Sequence, residues 1–222
     1  MGERVALVTG AASGIGAAIV RELSGRGWTT VGLDLAPADG ADHCVGVDVS
    51  DPAQVGAAIG RIRRELGPIE AALCAAGHYA IVPVSDIAWE EWRRMLRVHL
   101  GGIVNVCKNV TPEMAERGRG AVVAVAAETA IGGGEAAAHY AAAKGAVIGF
   151  VRSLAAELAP AGVRVNAVAP GPTDTPLLPP DSPWRRPSYL QTLPAGRLTA
   201  PAEVALAAAY LAEDATDRKS VV

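Results

Sequence analysis

Short apolar runs rich in β-branched residues alternate with longer amphipathic segments along the whole chain. Runs of this kind are typical of strands that are buried on both faces of a parallel sheet. We therefore predict strands at Arg4–Thr9, Thr29–Asp34, His43–Asp48, Ala71–Ala76, Ala121–Ala127 and Val163–Ala169.

The segments between these runs carry helical patterns. They predict helices at Gly14–Arg26, Pro52–Leu66, Trp89–Arg117 with an interruption near Gly101-Gly102, His139–Leu158 and Pro201–Glu213. Alternating strands and helices indicate an α/β fold, a doubly wound parallel sheet with helices on both faces. The stretch between Asp34 and Asp48 is too short for a full helix, so we expect an abbreviated second crossover. No linker divides the sequence, and residues 1–222 are interpreted as a single domain.

The first strand leads into the turn Gly10-Ala-Ala-Ser13-Gly14-Ile15-Gly16. Glycine permits a sharp turn and a close backbone approach, and the following helix directs its N-terminus at the turn. This arrangement predicts a pyrophosphate site. The spacing differs from the common Gly-x-Gly-x-x-Gly fingerprint, and a tight turn without a ligand is the alternative interpretation.

Carboxylates follow the second and third predicted strands. Asp34 lies about 20 residues after the glycine turn, where an acidic side chain can accept hydrogen bonds from an adenosine ribose. The Asp34 carboxylate would repel a 2′-phosphate, and Ser13 offers that phosphate no basic side chain. Both residues therefore favour NAD over NADP. Asp48 and Val49 could flank an adenine ring. An ordinary loop carboxylate is the alternative for Asp34.

Tyr140 and Lys144 lie four residues apart on a helical pattern and therefore share one face. A nearby ammonium lowers the pKa of a phenol, and such a tyrosine can act as a general acid and base. A half-buried tyrosine beside a surface lysine is the alternative.

Composition excludes several classes of function. The chain of 222 residues has a net charge of -3, which argues against a nucleic-acid surface. No apolar run is long enough for a membrane span, and no metal-ligand spacing is present. Cys44, Cys74 and Cys107 lie in apolar runs and are interpreted as reduced core thiols. The first predicted strand begins close to Met1, which leaves no room for a signal peptide. Together with the reduced thiols, this predicts a cytoplasmic protein.

These markers together resemble the short-chain dehydrogenase/reductase family, in particular its 3-oxoacyl-carrier-protein reductase-like members. The resemblance extends from about Val5 to Asp214. It rests on the markers Thr9-Gly-Ala-Ala-Ser-Gly-Ile-Gly16, Asp34, Asp48-Val49, Gly77, Tyr140-Ala-Ala-Ala-Lys144, Asn166-Ala-Val-Ala-Pro-Gly171 and Thr175. The resemblance implies a Rossmann-type domain that transfers a hydride between NAD(H) and an alcohol or ketone.

The resemblance also implies residue roles. Tyr140 would exchange the proton with the substrate oxygen, and Lys144 would hold the nicotinamide ribose and lower the pKa of Tyr140. The remaining cofactor contacts would come from Ala75, Ala76, Gly77, Pro170, Gly171, Thr173 and Thr175.

Three departures from the family pattern affect the implied catalytic centre. Cys74-Ala75-Ala76-Gly77 lacks the two amides of the usual Asn-Asn-Ala-Gly. His99 stands where the family has an asparagine of the proton relay. It is interpreted either as an altered member of that relay or as a structural histidine. Ala127 occupies the position of the catalytic serine, and loss of one such donor typically costs about 10²–10³ in rate. Strand geometry would place Thr129 on the same face as a possible replacement.

These departures keep a second function open, a catalytically weak NAD(H)-binding module acting as a sensor or interaction subunit. Segment 173–198 corresponds to the family's substrate loop, with apolar Leu177, Leu178, Trp184, Tyr189 and Leu190 and with Arg185-Arg186 as either binding or solvated charges. We expect a small or medium apolar ketone or alcohol as the substrate, without committing to acyl groups.

Because the sequence ends at Asp217-Arg-Lys-Ser-Val-Val222, we expect the family's last strand to be absent. That strand contributes to one tetramer interface in the family. We therefore expect a homodimer through helices 89–117 and 139–158 and leave a tetramer open.

Overall fold

The computed structural model describes residues 4–213, which form one parallel sheet of six strands in the order β3-β2-β1-β4-β5-β6. The strands are β1 (Arg4–Thr9), β2 (Trp28–Asp34), β3 (His43–Gly46), β4 (Ile69–Cys74), β5 (Gly120–Val125) and β6 (Val163–Val168). This is the predicted doubly wound α/β sheet, and the fold class is confirmed.

Helices cover both faces of the sheet. They are α1 (Gly14–Gly25), α2 (Pro52–Leu66), α3 (Trp89–Leu96), α4 (Gly102–Glu116), α5 (Thr129–Gly132), α6 (Ala138–Leu158), α7 (Pro187–Leu190) and α8 (Pro201–Ala212). Single 3₁₀ turns lie at Val84–Asp86, Ala159–Ala161 and Pro183–Arg185. As expected, residues 35–42 join β2 to β3 without a helix.

Alternate residues of the strands supply two separate cores. Leu7 and Val122 face the core that is completed by α2, α4 and α6. Val8 and Val123 face the opposite core, which is completed by α1 and α8. Because both faces are buried, the strands read as continuous apolar runs rather than as alternating ones.

Three strands end two residues earlier than the sequence predicts. β3 ends at Gly46, β4 at Cys74 and β5 at Val125. Apolar residues continue past these points although the parallel pairing stops there. The apolar runs therefore overestimate the lengths of the strands. Consequently Asp48, Ala76 and Ala127 lie in loops at the carboxyl edge of the sheet.

The predicted helix 89–117 is two helices, α3 and α4, joined by a π-helical turn at Arg97–Gly101. The interruption was placed correctly near Gly101-Gly102. A π turn is a wider loop of helix that often marks a functional position. Here it carries His99, which is buried.

The strand order reverses between β1 and β4. From β1 the chain continues to β2 and β3 on one side of the sheet, and from β4 it continues to β5 and β6 on the other side. The glycine turn follows β1 and Ala75-Ala76-Gly77 follows β4. Ligands of doubly wound sheets bind at such a switch point. The expectation of a missing last strand at 217–222 falls outside the described residues.

One of the three thiols departs from the sequence interpretation. Cys44 is exposed, whereas Cys74 and Cys107 are buried. The reason is topological, because β3 is an edge strand with exposed side chains. No helix between residues 4 and 213 has the length and apolar character needed to cross a membrane.

Candidate active site

The turn after β1 requires its glycines for geometric reasons. Gly10 has a φ of 69° and Gly14 a φ of 52°, in the left-handed region that favours glycine. A Cβ at Gly10 would lie 2.8 Å from the backbone of Ala76, and a Cβ at Gly16 would lie 1.9 Å from the Gly10 carbonyl oxygen. Ser13 is the N-cap of α1, but its side chain makes no capping hydrogen bond. The first amides of the helix therefore remain available to an anion.

Asp34 ends β2 beside this turn. Its Oδ2 accepts a hydrogen bond from the Ala12 amide at 3.0 Å, and its Oδ1 accepts one from the Ala36 amide at 3.1 Å. These bonds fix the carboxylate at the edge of the cleft. A carboxylate has about four acceptor positions, so both oxygens retain capacity for further donors.

A cleft of about 280 Å³ runs along the carboxyl edge of the sheet, and we call it the glycine-turn cleft. It gathers predicted cofactor residues from four loops. They are Gly10, Ser13, Gly14, Ile15, Gly16, Asp34, Asp48, Val49, Ala75, Ala76, Gly77 and Thr175. Arg94 of α3 also lines this cleft and was not anticipated from the sequence.

A second cavity of about 370 Å³, the tyrosine cavity, adjoins the cleft. It brings together the other predicted residues, which are His99, Ala127, Tyr140, Lys144, Pro170, Gly171 and Thr173. Ile15, Ala75, Gly77, Thr175 and Leu177 line both spaces. The two spaces are thus continuous along these shared residues, with Asp34 at one end and Tyr140 at the other.

Lys144 is buried in α6, with only 4% of its surface exposed, which excludes a surface lysine. Its Nζ donates a hydrogen bond to the Val125 carbonyl oxygen at 2.6 Å and lies 5.8 Å from the centre of the Tyr140 ring. Burial lowers the pKa of Lys144 to about 8, because desolvation disfavours the ammonium.

Tyr140 does not show the lowered pKa that the sequence predicts. Burial of the phenol raises its pKa, and the charges of Tyr79 and Glu128 act in the same direction. Lys144 does not offset this effect, since its ammonium is directed at the Val125 carbonyl. The prediction of an activated Tyr140 is therefore wrong for this structure, in which the phenol is protonated near neutral pH.

His99 holds the turn after β4 and also faces Tyr140. Its Nε2 lies 2.8 Å from the His78 carbonyl oxygen, and its ring meets the Tyr140 ring edge-on with centres 5.4 Å apart. A Cβ at Gly77 would lie 2.4 Å from His99 Cε1, so glycine is required beside this ring. Burial, reinforced by the Lys144 charge, lowers the pKa of His99 to about 2 and keeps the imidazole neutral.

Ala127 is buried and lines the tyrosine cavity, so a methyl group stands where the family pattern has a hydroxyl. The expected geometry of Thr129 is wrong, because β5 has ended and Thr129 begins α5. Thr129 nevertheless lines the same cavity. Its Oγ1 is buried and finds no hydrogen-bond partner among the described residues.

The segment 173–198 forms one wall of the tyrosine cavity. Leu177, Leu178, Trp184 and Tyr189 line this wall, while Leu190 lies outside the lining. The base of the segment is closed by a bridge between Thr173 and Thr199.

Arg185 is not a solvated charge. Its Nη2 lies 2.7 Å from Asp174 Oδ1, and its Nε donates to the Leu178 carbonyl oxygen at 2.9 Å. The guanidinium also donates to the Thr175 carbonyl oxygen at 3.3 Å. Arg185 therefore joins several parts of segment 173–198 to one another, whereas Arg186 is exposed.

Sequence reasoning missed two residues of the tyrosine cavity, Tyr79 and Glu128. The Tyr79 ring meets the Tyr140 ring edge-on at 4.9 Å, and its hydroxyl accepts a hydrogen bond from Trp184 Nε1 at 3.2 Å. The available signals were an aromatic residue two positions after Gly77 and a charge directly after Ala127. Residues 4–213 contain no grouping of His, Cys, Asp or Glu that could hold a metal ion.

Comparison with known proteins agrees with this geometry. The sequence model of the family described as Enoyl-(Acyl carrier protein) reductase matches residues 10–218. The chain is 39% identical over 230 residues to cis-4-hydroxycyclohexanecarboxylate dehydrogenase of Sinomonas cyclohexanicum, covering 96% of this chain and 90% of that protein. It is 33% identical to the 3-oxoacyl-[acyl-carrier-protein] reductase of Escherichia coli (strain K12), covering 95% and 90%.

Solved structures give the same result. The ligand-free aldohexose dehydrogenase of Thermoplasma acidophilum superposes with a TM-score of 0.89 at 31% identity, covering 96% of this chain and 88% of that chain. The similarity therefore extends over the sheet, its helices and the loops at the carboxyl edge.

Proposed function

Because the chain belongs to the short-chain dehydrogenase/reductase family, a family of oxidoreductases, we propose that it transfers a hydride between NAD(H) and an alcohol or ketone. The observation that carries this proposal is the continuity between the glycine-turn cleft and the tyrosine cavity. One space accepts a dinucleotide, and the other holds a partly buried tyrosine and a buried lysine beside room for a small substrate.

The loops at the carboxyl edge supply the proposed cofactor site. The glycine turn and the N-terminus of α1 hold the pyrophosphate, since no Cβ obstructs the backbone there. Asp48 and Val49 flank the adenine, and Ala75 to Gly77 border the middle of the cleft. Pro170, Gly171, Thr173 and Thr175 hold the carboxamide end.

We propose NAD rather than NADP as the preferred cofactor. The Asp34 carboxylate would accept hydrogen bonds from ribose hydroxyls and repel a 2′-phosphate. Arg94 is the basic side chain of the cleft lining, but Glu91 lies 3.8 Å from its Nη1 and partly balances its charge.

Tyr140 and Lys144 perform the proton chemistry in this proposal. The nicotinamide, when bound, supplies or accepts the hydride. The phenol of Tyr140, which burial keeps protonated near neutral pH, donates its proton to a ketone oxygen in the reductive direction. Lys144 holds the ribose, and the neutral His99 ring can pass hydrogen bonds between Tyr140 and the 77–78 turn.

Ala127 motivates the alternative function, an NAD(H)-binding module with weak or no turnover. The two functions share the cofactor site and differ only in the completeness of the hydrogen bonding to the substrate oxygen. We favour the enzyme because Thr129 Oγ1 and His99 Nδ1 are buried polar atoms with unused hydrogen-bonding capacity within the described residues.

The relatives are named for a cyclohexane alcohol, an acyl-carrier substrate and an aldohexose, which share an alcohol or carbonyl as the reacting group. The apolar wall formed by Leu177, Leu178 and Trp184 supports a small or medium substrate with an apolar body. We further propose a single-domain cytoplasmic homodimer that associates through helices 89–117 and 139–158.

Two variants test the proposal. Tyr140→Phe is expected to abolish turnover of a ketone panel while NADH affinity stays within about twofold, because a lost phenol removes only the proton donor. Asp34→Ala is expected to weaken NADH binding about tenfold or more and to reduce discrimination against NADPH, with exposed Asp39→Ala as the matched control. Fluorescence titration measures both affinities.

Different results identify which part of the proposal fails. Turnover that persists in Tyr140→Phe assigns the proton to another residue. Saturable NADH binding without turnover by the parent or by Ala127→Ser favours the binding module.

A further inference from the structure

Aromatic rings form one side of the tyrosine cavity. Tyr79 meets Tyr140 edge-on at 4.9 Å, and Trp184 meets Tyr189 at 4.8 Å with an angle of 62° between the ring planes. The hydrogen bond from Trp184 Nε1 to the Tyr79 hydroxyl joins the two pairs. The four rings thus present a connected aromatic surface to whatever occupies the cavity beyond Ala127.

A carboxylate shares this cavity with the rings. Glu128 lines it, and its negative charge contributes to raising the pKa of Tyr140, Tyr79 and Tyr189. Glu128 therefore lies within electrostatic reach of three of the four rings. Its position is held by the backbone, because its amide donates to the Pro170 carbonyl oxygen at 3.1 Å.

Glu128 is exposed to solvent, and no residue in the described part of the chain neutralises its carboxylate. Glu128 is the N-cap of α5 but makes no side-chain capping hydrogen bond, and residues 4–213 supply it with no ion pair. The two cations of the cavity region have other partners. Lys144 Nζ donates to the Val125 carbonyl, and Arg185 pairs with Asp174.

An unpaired carboxylate beside aromatic faces is suited to one class of ligand. Ring faces attract cations, most strongly where water is displaced, and a carboxylate adds direct charge attraction. A neutral apolar group in the same place would bury the carboxylate without a partner, which is unfavourable. An anionic group would be repelled.

We propose that Glu128, together with Tyr79, Trp184 and Tyr189, selects a substrate that carries an ammonium group in addition to its reacting alcohol or ketone. This inference rests on the proposed function and adds the substrate class to it. The apolar body of the substrate lies against Leu177 and Leu178, and its cationic group lies between Glu128 and the rings.

The test compares two ketones of the same shape. One carries a trimethylammonium group on a short alkyl chain, and the other carries a tert-butyl group in its place. The parent protein is expected to reduce the cationic ketone with a kcat/KM about tenfold or more above that of the neutral one. In Glu128→Gln this ratio is expected to fall toward unity. Glu135→Gln, on an exposed position outside the cavity lining, is the matched control and should keep the parent ratio.

A binding measurement separates this inference from the proposed function. Tetramethylammonium ion is titrated by calorimetry into the NADH complex of the parent and of Glu128→Gln. Loss of the binding heat in the variant supports the cation site even if neither ketone is reduced. In that case the proposed function fails and the cation site stands.

Two results would overturn the cation site. The first is a neutral ketone that is reduced as well as the cationic one by the parent. The second is a Glu128→Gln variant that keeps the ketone ratio but changes the affinity ratio of NAD⁺ to NADH, which would mean that the carboxylate acts on the charge of the nicotinamide.

Discussion

Ala127 carries no hydroxyl, so in the proposed reaction this position donates no hydrogen bond to the substrate oxygen. The surrounding loop is otherwise arranged for such a group, since Ala127 lines the tyrosine cavity together with Tyr140. Its methyl group is 6% exposed, and a serine hydroxyl adds little volume. The position is therefore available for a direct test of how much one donor contributes.

We expect Ala127→Ser to raise kcat/KM for ketone reduction by about 10²–10³, because one preorganised donor to the reacting oxygen typically contributes that factor. Steady-state NADH oxidation measures it. Ala130→Ser, in α5 but outside the cavity lining, is the control and should not change the rate. No gain in Ala127→Ser would show that Thr129, His99 or water already supplies the hydrogen bond.

Lys144 makes the stability of the protein depend on pH. Its folded-state pKa of about 8 lies below the ordinary 10.5 because the ammonium is desolvated. Between these values the unfolded state binds more protons, so the free energy of unfolding contributed by this group rises with pH. Below pH 8 Lys144 is protonated in both states, so its unfavourable contribution to the free energy of unfolding no longer changes with pH.

We expect the parent to gain about 3 kcal/mol in free energy of unfolding between pH 8 and pH 10.5 relative to Lys144→Met, from 1.36 kcal/mol per pKa unit. Urea denaturation at several pH values measures this difference. Lys108→Met, at an exposed position of α4, controls for general loss of a lysine. Parallel pH profiles of the parent and Lys144→Met would contradict a lowered pKa.

At the scale of elements, the guanidinium of Arg185 joins several parts of segment 173–198. Arg185 joins Asp174 near the start of the loop to the Leu178 carbonyl, while Arg186 makes no such contact. The neighbouring arginines therefore form a matched pair of positions with the same charge and different contacts.

We expect Arg185→Ala to raise KM for ketones about tenfold and to speed cleavage of segment 173–198 by chymotrypsin, because a charge-assisted hydrogen bond contributes about 1.5–3 kcal/mol. Arg186→Ala should leave KM and the chymotrypsin rate at the parent values. Equal effects of the two variants would mean that Arg185 does not hold the loop.

The sequence predicts the centres of elements better than their ends. Apolar β-branched runs identify β1 to β6, but pairing stops before the apolar run does after Cys74 and Val125. The predicted geometry of Thr129 failed for this reason. A π turn has no simple periodic signal either, so the inward direction of His99 could not be derived from residue spacing.

Residues of the site that belong to recognisable spacings, such as Gly10, Asp34, Tyr140 and Lys144, could be identified from the sequence. Tyr79 and Glu128 could not, because their role follows from the position of the substrate loop across the cavity. The pKa direction of Tyr140 was also beyond the sequence, since it depends on burial and on where Lys144 Nζ points.

At the scale of the whole molecule, the proposed homodimer places α4 and α6 against their counterparts. Gly149 lies on the exposed side of α6, and a Cβ built there meets no atom within 4 Å. A larger side chain at this position is therefore compatible with the monomer, but it would obstruct a closely packed helix interface.

We expect Gly149→Lys to sediment as a monomer, with the parent sedimenting as a dimer, since a charge buried in an interface without a partner is strongly unfavourable. Ala57→Lys, at an exposed position of α2, which is not one of the two interface helices, should remain dimeric. A monomeric parent, or a dimeric Gly149→Lys, would exclude this interface.

The edge position of β3 has a practical consequence for studying the protein. Cys44 is exposed, whereas burial raises the pKa of Cys74 and raises that of Cys107 to about 12. Thiolates are the reactive form, so a maleimide dye should attach at Cys44 alone. In the register of the sheet, Cys44 lies two residues before the partner of Asp34. The natural chain thus offers one labelling position near Asp34, from which a fluorophore could report the proposed dinucleotide binding without any substitution.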